Sequence, residues 1–241
     1  MSKSQQERIA EEFDAYRDTY QQAVNEALSF TGMGVTRFVN AKAKHLVDEV
    51  NGHFGPTRNG LSIVDLGCGI GQYHPLIGSR FSRLVGVDVS TEAINRARAD
   101  NPMVEYHTYD GARLPFGPDE FDVSFAICVL HHVPAPHWEN FVREMHRVTR
   151  PGGLALLFEH NPTNPLTRKV VSDCPFDRDA VLVDRRRAIS LFSDAGFANV
   201  DVNSILTIPA VDGFLKKIDR LFGRLPFGTQ YCLTGSKVWP R

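Results

Sequence analysis

Five short apolar runs succeed one another through the middle of this chain, and amphipathic segments or turns separate them. LSIVDL (61–66) ends in a glycine cluster, and SRLVGVDV (82–89) leads into the helical STEAINRARAD. MVEYHTY (103–109) follows, then FDVSFAICVL (121–130) with a helix around PHWENFVREMHRVT, then GLALLFEH (153–160) after the turn Pro151-Gly152-Gly153. Strands that alternate with helices build a parallel sheet covered on both faces. Strands buried on both faces read as near-continuous apolar runs, as these do, rather than as strict alternation.

The flanks fit around that unit. Residues 5–29 and 35–51 read as helices; in the second, Val35, Phe38, Val39, Leu46, Val47 and Val50 recur at helical spacing. Gly52, Gly55, Pro56 and Gly60 mark a loop before the first strand. Past residue 160 the pattern loosens into an excursion over 161–184 that carries Pro162, Pro165 and Pro175 and one short helix. RRRAISLFSDA (185–195) is a helix closed by Gly196. NVDVNSILTI (199–208) and QYCLTGSKV (230–238) alternate like strands, with an amphipathic helical stretch at 209–225 between them. Two regions are expected: a helical cap over 1–55 and an α/β domain over 56–241.

At 241 residues one domain is the natural expectation. The 27 basic and 28 acidic residues leave a net charge of -1, which argues against nucleic acid held by bulk charge. Cys68, Cys128, Cys174 and Cys232 stand too far apart for a CxxC motif, so free thiols in a reducing cytoplasm are expected, with no metal site. The polar N-terminus is no signal peptide, and no apolar run is long enough for a transmembrane helix.

The most informative segment is Asp65-Leu66-Gly67-Cys68-Gly69-Ile70-Gly71, leaving one strand and entering a helix. Glycines there let the backbone turn tightly and approach a ligand, and a helix N-terminus offers free amides to an anionic group. Asp88 ends the second strand, 17 residues past Gly71. In such sheets ligands sit at the carboxyl ends of strands, where a carboxylate can accept two hydrogen bonds from a ribose diol. Ser90, rather than Asp88, is the better N-cap for the following helix. Asp110 follows the third strand and can accept from an exocyclic amine. A nicotinamide dinucleotide would also use a glycine turn and an acidic residue, but its third glycine would fall at Gln72.

VDLGCGIGQY, GVDVS, YDGARLPF, FDVSFAICVLHHV and RPGG, in that order, resemble the successive motifs of the class I S-adenosylmethionine-dependent methyltransferases (methyltransferase domain 11-like), and the excursion EHNPTNPLTRKVVSDCPFDRDAVLV resembles their small-molecule or glycan-type subgroup of bacterial polysaccharide and natural-product biosynthesis. The motif resemblance covers roughly residues 61–160. It implies a Rossmann-like α/β fold with a seven-stranded sheet, mostly parallel with an antiparallel last strand, helices on both faces and an N-terminal helical cap. It implies S-adenosyl-L-methionine as cofactor and S-adenosyl-L-homocysteine as product. Carried across, Asp65, Gly67, Cys68, Gly69 and Gly71 surround the methionine part. Asp88, with Val89, binds the ribose, and Asp110, Gly111 and Ala112 hold the adenine. Cys128 approaches the methionine moiety from below, Tyr16 and Tyr20 cover the cofactor, and Lys42 is placed to reach its carboxylate.

Transfer of a methyl group from a sulfonium needs chiefly alignment and exclusion of water. A protonated oxygen or nitrogen nucleophile gains from a base, and His131, His132 and His160 at the ends of the fourth and fifth strands are the candidates. Glu159 stands beside them. The excursion carries Arg168, Asp173, Asp177 and Asp179, which can meet a polar substrate at the pocket mouth. The stretch 209–225 suits packing beside the substrate cleft or, as the sharper reading, peripheral contact with a membrane surface. The function implied is methylation of a small-molecule or saccharide-type acceptor in biosynthesis; the alternative is a catalytically inactive methyltransferase-like binding or scaffold protein. The intact glycines and Asp88 favour the enzyme.

Overall fold

The computed structural model describes residues 35–56, 60–174, 177, 180–205 and 228–239. Its centre is one seven-stranded sheet of β1 (Ser62–Leu66), β2 (Arg83–Asp88), β3 (Glu105–Thr108), β4 (Phe121–Ile127), β5 (Thr149–His160), β6 (Ala198–Ile205) and β7 (Gln230–Ser236), in the order β3-β2-β1-β4-β5-β7-β6. The pairs among β1 to β5 are parallel. β7, the last strand of the chain, lies antiparallel between β5 and β6, as expected. Every residue of β1 and β4 is buried, as their apolar runs require.

The helices are α1 (Val35–Phe54), α2 (His74–Ile77), α3 (Thr91–Asp100), α4 (Trp138–Val148), α5 (Pro165–Asp173) and α6 (Arg185–Ala195). One face of the sheet packs Ile63, Val123, Phe125, Leu156 and Phe158 against Val39, Ala43, Leu46 and Val50 of α1. The opposite face packs Val64, Val85, Ala126 and Leu157 against Phe141, Val142 and Met145 of α4 and Ala188, Leu191 and Phe192 of α6. Alternate residues of each buried strand thus feed two cores.

Local chemistry sets the ends of these elements. The Ser90 side chain caps α3 by accepting from the Ala93 amide. Asn164 caps α5 and Asp184 caps α6. Gly196 closes α6 at φ +101°, the left-handed turn that glycine takes without strain. The Pro151-Gly152-Gly153 turn lies inside β5 as an irregularity: Phe121 pairs with Thr149, and the register resumes at Val123 with Leu154.

One expectation fails. The segment after the glycine cluster is not a sustained helix; α2 has four residues and passes at Gly78 into a single 3-10 turn. Pro75 in its first turn can donate no backbone bond, and Gly78 follows three residues later. The helical stretches expected at 5–29 and 209–225 lie outside the described residues, as do Tyr16 and Tyr20.

Candidate active site

β1 and β4 diverge in their connections at the centre of the sheet, so the crevice of a doubly wound fold opens at their carboxyl ends. The turn after β1 is pinned by the Gly67 and Cys68 amides, which both donate to the Val87 carbonyl, at 2.8 and 3.0 Å. Gly67, Gly69 and Gly71 all have positive φ, of +75°, +52° and +71°. Their surroundings differ. A Cβ on Gly67 would lie 2.5 Å from Val129 Cγ1, because the backbone crosses close to the turn after β4. A Cβ on Gly71 would meet the Tyr106 hydroxyl at 2.5 Å. A Cβ on Gly69 would meet nothing within 4 Å. The middle glycine therefore faces open space, where a ligand can lie against bare backbone.

Asp88 stands half-buried beside that space. Its Oδ2 accepts from the Gly69 amide at 2.8 Å and its Oδ1 from the Ser90 amide at 2.9 Å. Burial pushes its carboxyl pKa up, against the pull of those amides. Val89, next along, is also half-buried. Asp110 is exposed and its Oδ1 accepts from the amides of Ala112 and Arg113, both at 2.9 Å, which lowers its pKa. Gly111, at φ +77°, completes that turn.

Asp65 and Cys68 are buried at the glycine turn. Asp65 and Tyr106 flank Gly86 in the strand register. Over that gap His74 bridges them, with Nε2 3.1 Å from Asp65 Oδ2 and Nδ1 2.6 Å from the Tyr106 hydroxyl. A Cβ on Gly86 would lie 2.7 to 2.8 Å from Tyr106, Cys68 and His74, so glycine here makes room for the chain of three. Burial raises the Asp65 pKa, partly offset by His74, and pushes the Cys68 thiol well up. Neither His74 nor Tyr106 figured among the sequence candidates. Their signal lies in the sheet register, where Gly86 stands between Asp65 and Tyr106, and in no local motif.

On the other side of the crevice, Cys128 takes φ +58° directly after β4. Lys42 of α1 brings Nζ to 3.5 Å from its Sγ, and Gln230 of β7 brings Nε2 to 3.6 Å. The same Gln230 nitrogen is 3.3 Å from His160 Nδ1, its register partner in β5. Burial pushes the Cys128 thiol up, but Lys42 and His160 outweigh it and bring the pKa down to about 7. Among the described residues, Gln230 Oε1 is buried without a hydrogen-bond partner, an acceptor in want of a donor. Only the strand pairing of Gln230 with His160 reveals its place.

Beyond His160 the remaining candidates form one group. His131 Nδ1 lies 2.5 Å from Glu159 Oε2, and Glu159 Oε1 accepts from the amides of Val129 and Leu130 at 3.2 and 2.7 Å. Asp177 turns inward from the excursion, its Oδ1 3.5 Å from His131 Nε2 and 3.4 Å from His132 Nε2. The Val181 amide, donating to the His131 carbonyl at 3.0 Å, ties the excursion down over this turn. Burial opposes a charge on His131, yet Glu159 and Asp177 outweigh it and hold its pKa well above the ordinary. Burial and the His131 charge push His132 down to about 3. Asp173 pairs with Lys169 on the exposed face of α5 at 2.8 Å, Arg168 is exposed, and Asp179 lies outside the described residues.

A doubly wound sheet with a bare glycine turn at its switch point and acidic residues ending the next two strands defines a nucleotide-binding class of α/β protein. A family model for the methyltransferase domain matches residues 64–157. That stretch, which holds the glycine turn, Asp88, Asp110 and Cys128, is similar to the methyltransferase domain. An uncharacterized methyltransferase of Synechocystis sp. is 34% identical over 106 residues, covering 44% of this chain and 50% of its own. The 27-O-demethylrifamycin SV methyltransferase of Amycolatopsis mediterranei is 29% identical over 161 residues, covering 64% of this chain and 58% of its own. The chain thus spans about half the length of these curated relatives. A solved SAM-dependent methyltransferase from Thermotoga maritima superposes with a TM-score of 0.65 at 16% identity, over 97% of this chain and 100% of that one, a likeness of fold.

Proposed function

We propose that this chain binds S-adenosyl-L-methionine and transfers its methyl group to an oxygen or nitrogen of a small-molecule or saccharide-type acceptor, in a cytoplasmic biosynthetic pathway. The observation that carries the reading is Gly69: bare, left-handed, open on its Cβ side, and locked by its amide to Asp88. That cradle suits the amino-acid and ribose parts of the cofactor. Asp88 takes the ribose hydroxyls, and Asp110, Gly111 and Ala112 border the adenine.

The cofactor supplies an electrophilic methyl group on a good leaving group, so the protein's work is mostly orientation. Lys42 can neutralise the cofactor carboxylate from α1, and Cys128 lines the methionine end. His160, half-buried and next to Gln230, is the base best placed to take a proton from an acceptor on that side. Gln230 Oε1, unpartnered among the described residues, can accept a hydrogen bond from a hydroxyl or amine of the methyl acceptor. A small-molecule acceptor accords with the Amycolatopsis relative, whose name places its reaction on a rifamycin. The near-neutral charge speaks against nucleic acid held by bulk charge.

Calorimetric titration with S-adenosylmethionine and with S-adenosylhomocysteine tests the reading. Saturable micromolar binding of both is expected. No heat with either overturns it.

A further inference from the structure

We propose that His131, His132 and Asp177 form a binding site for a divalent transition cation of the zinc type. Adjacent residues of the 3-10 turn Leu130–His132 bring both Nε2 atoms toward one oxygen of Asp177. The separations, 3.5 and 3.4 Å, exceed the 2.7–3.2 Å of well-formed hydrogen bonds. They match the edges of a coordination tetrahedron, which metal–ligand bonds of about 2.0–2.2 Å set at roughly 3.3–3.6 Å. All three ligand atoms lie within 4.8 Å of one another.

A second observation is independent of that spacing. Glu159, fully buried and fixed by two backbone amides, accepts from His131 Nδ1 at 2.5 Å. A carboxylate behind the ring in this way orients the imidazole and directs Nε2 outward, as behind metal-bound histidines. The excursion supplies the third ligand, and the Val181 amide closes it against the His131 carbonyl.

The donor set selects the ion. Two imidazoles and one carboxylate suit zinc and neighbouring transition metals, whereas magnesium and calcium prefer all-oxygen shells. Three protein ligands leave a fourth position open, the pattern of reactive rather than structural zinc. The side chains grade outward, from 1% exposed at His131 to 12% at Asp177 and 18% at His132, so the site is within reach of solvent. The rings of His131 and His160 stand 5.0 Å apart, which sets the site within one side chain of the pocket wall. A hydroxyl coordinated there becomes more acidic and so a better nucleophile. This last role rests on the methyl-transfer reading; the cation site does not.

The test uses the full chain after chelator treatment, titrated with zinc by calorimetry and checked by equilibrium dialysis. One equivalent bound at micromolar affinity or tighter is expected, with magnesium giving no such response. His132→Ala and Asp177→Asn, both at partly exposed positions, should each weaken zinc at least tenfold. Cobalt in place of zinc should show visible ligand-field absorption without a thiolate charge-transfer band. Three results overturn the proposal: no stoichiometric zinc, zinc binding unchanged in both variants, or a thiolate band that puts the ion on the free cysteines. The first result would leave His131 as an imidazolium clamped between Glu159 and Asp177. Titrating the same wild-type sample with S-adenosylmethionine separates the two readings. Cofactor binding without zinc defeats only the cation site, and zinc without cofactor defeats only methyl transfer.

Discussion

The Gly69 amide donates to Asp88 Oδ2 across 2.8 Å, which couples the bare turn after β1 to the end of β2. One carboxylate thereby shapes the cradle and, in the methyl-transfer reading, also holds the ribose. Asp88→Ala removes both functions. Charged hydrogen bonds of this kind contribute about 1–3 kcal/mol, so cofactor affinity should fall by roughly 5- to 150-fold. Calorimetry with S-adenosylhomocysteine measures it directly, and an unchanged affinity would discard the ribose assignment.

Gly67 and Gly69 share a left-handed backbone but not their neighbours, so alanine should affect them differently. At Gly67 the new Cβ would lie 2.5 Å from Val129, and overpacking of that sort costs about 1–3 kcal/mol of stability on top of the backbone strain. At Gly69 only the left-handed strain of about 1–2 kcal/mol applies, while the methyl group intrudes on the space left for the ligand. Gly67→Ala should lower the melting temperature more, and Gly69→Ala should lose more cofactor affinity relative to its stability change. Equal melting shifts would show that the approach of Val129 relaxes freely.

The sheet was legible because β1, β2 and β4 are near-continuous apolar runs while β6 and β7 alternate; all five begin within one residue of the sequence expectation. The glycine turn was legible because its three positive-φ positions favour glycine, and Asp88 and Asp110 were picked out by their places at the end of β2 and just past β3. What the sequence hid depends on tertiary register. Nothing local in His74 or Tyr106 shows that Gly86 opens a gap between them. Nor does the spacing of Gln230 and His160, 70 positions apart, show that they are paired across β5 and β7. The short α2 was missed because periodicity reads past Pro75 and Gly78, whose backbone limits stop the helix.

The chain of Asp65, His74 and Tyr106 should behave as a structural unit. Tyr106→Phe leaves the shape nearly intact but strips His74 Nδ1 of its partner at a buried site. An orphaned buried polar group costs about 1–3 kcal/mol. Urea denaturation should register that loss as a lower midpoint with unchanged slope. A variant as stable as wild type would mean that water or a ring reorientation satisfies the imidazole.

Cys128 should titrate as an unusually acidic thiol. Burial raises its pKa, but Lys42 from α1 and His160 from β5 outweigh burial, and they also exceed the opposing charge of Glu159. Gln230 adds a donor from β7 at 3.6 Å. The thiolate is the reactive form, so alkylation by a small neutral reagent should rise with pH through a midpoint near 7, below the ordinary 9.0. Because the folded-state value is depressed, the group's contribution to stability grows as pH climbs from about 7 to about 9, is complete above that window and is lost as pH falls through about 7. Lys42→Met should move the alkylation midpoint upward, and saturating S-adenosylhomocysteine should slow the reaction by filling the methionine end of the crevice. Peptide mass spectrometry separates this thiol from Cys68 and Cys232, which burial pushes well up. A midpoint near 9 with Lys42 in place would show that the cation does not govern the thiol.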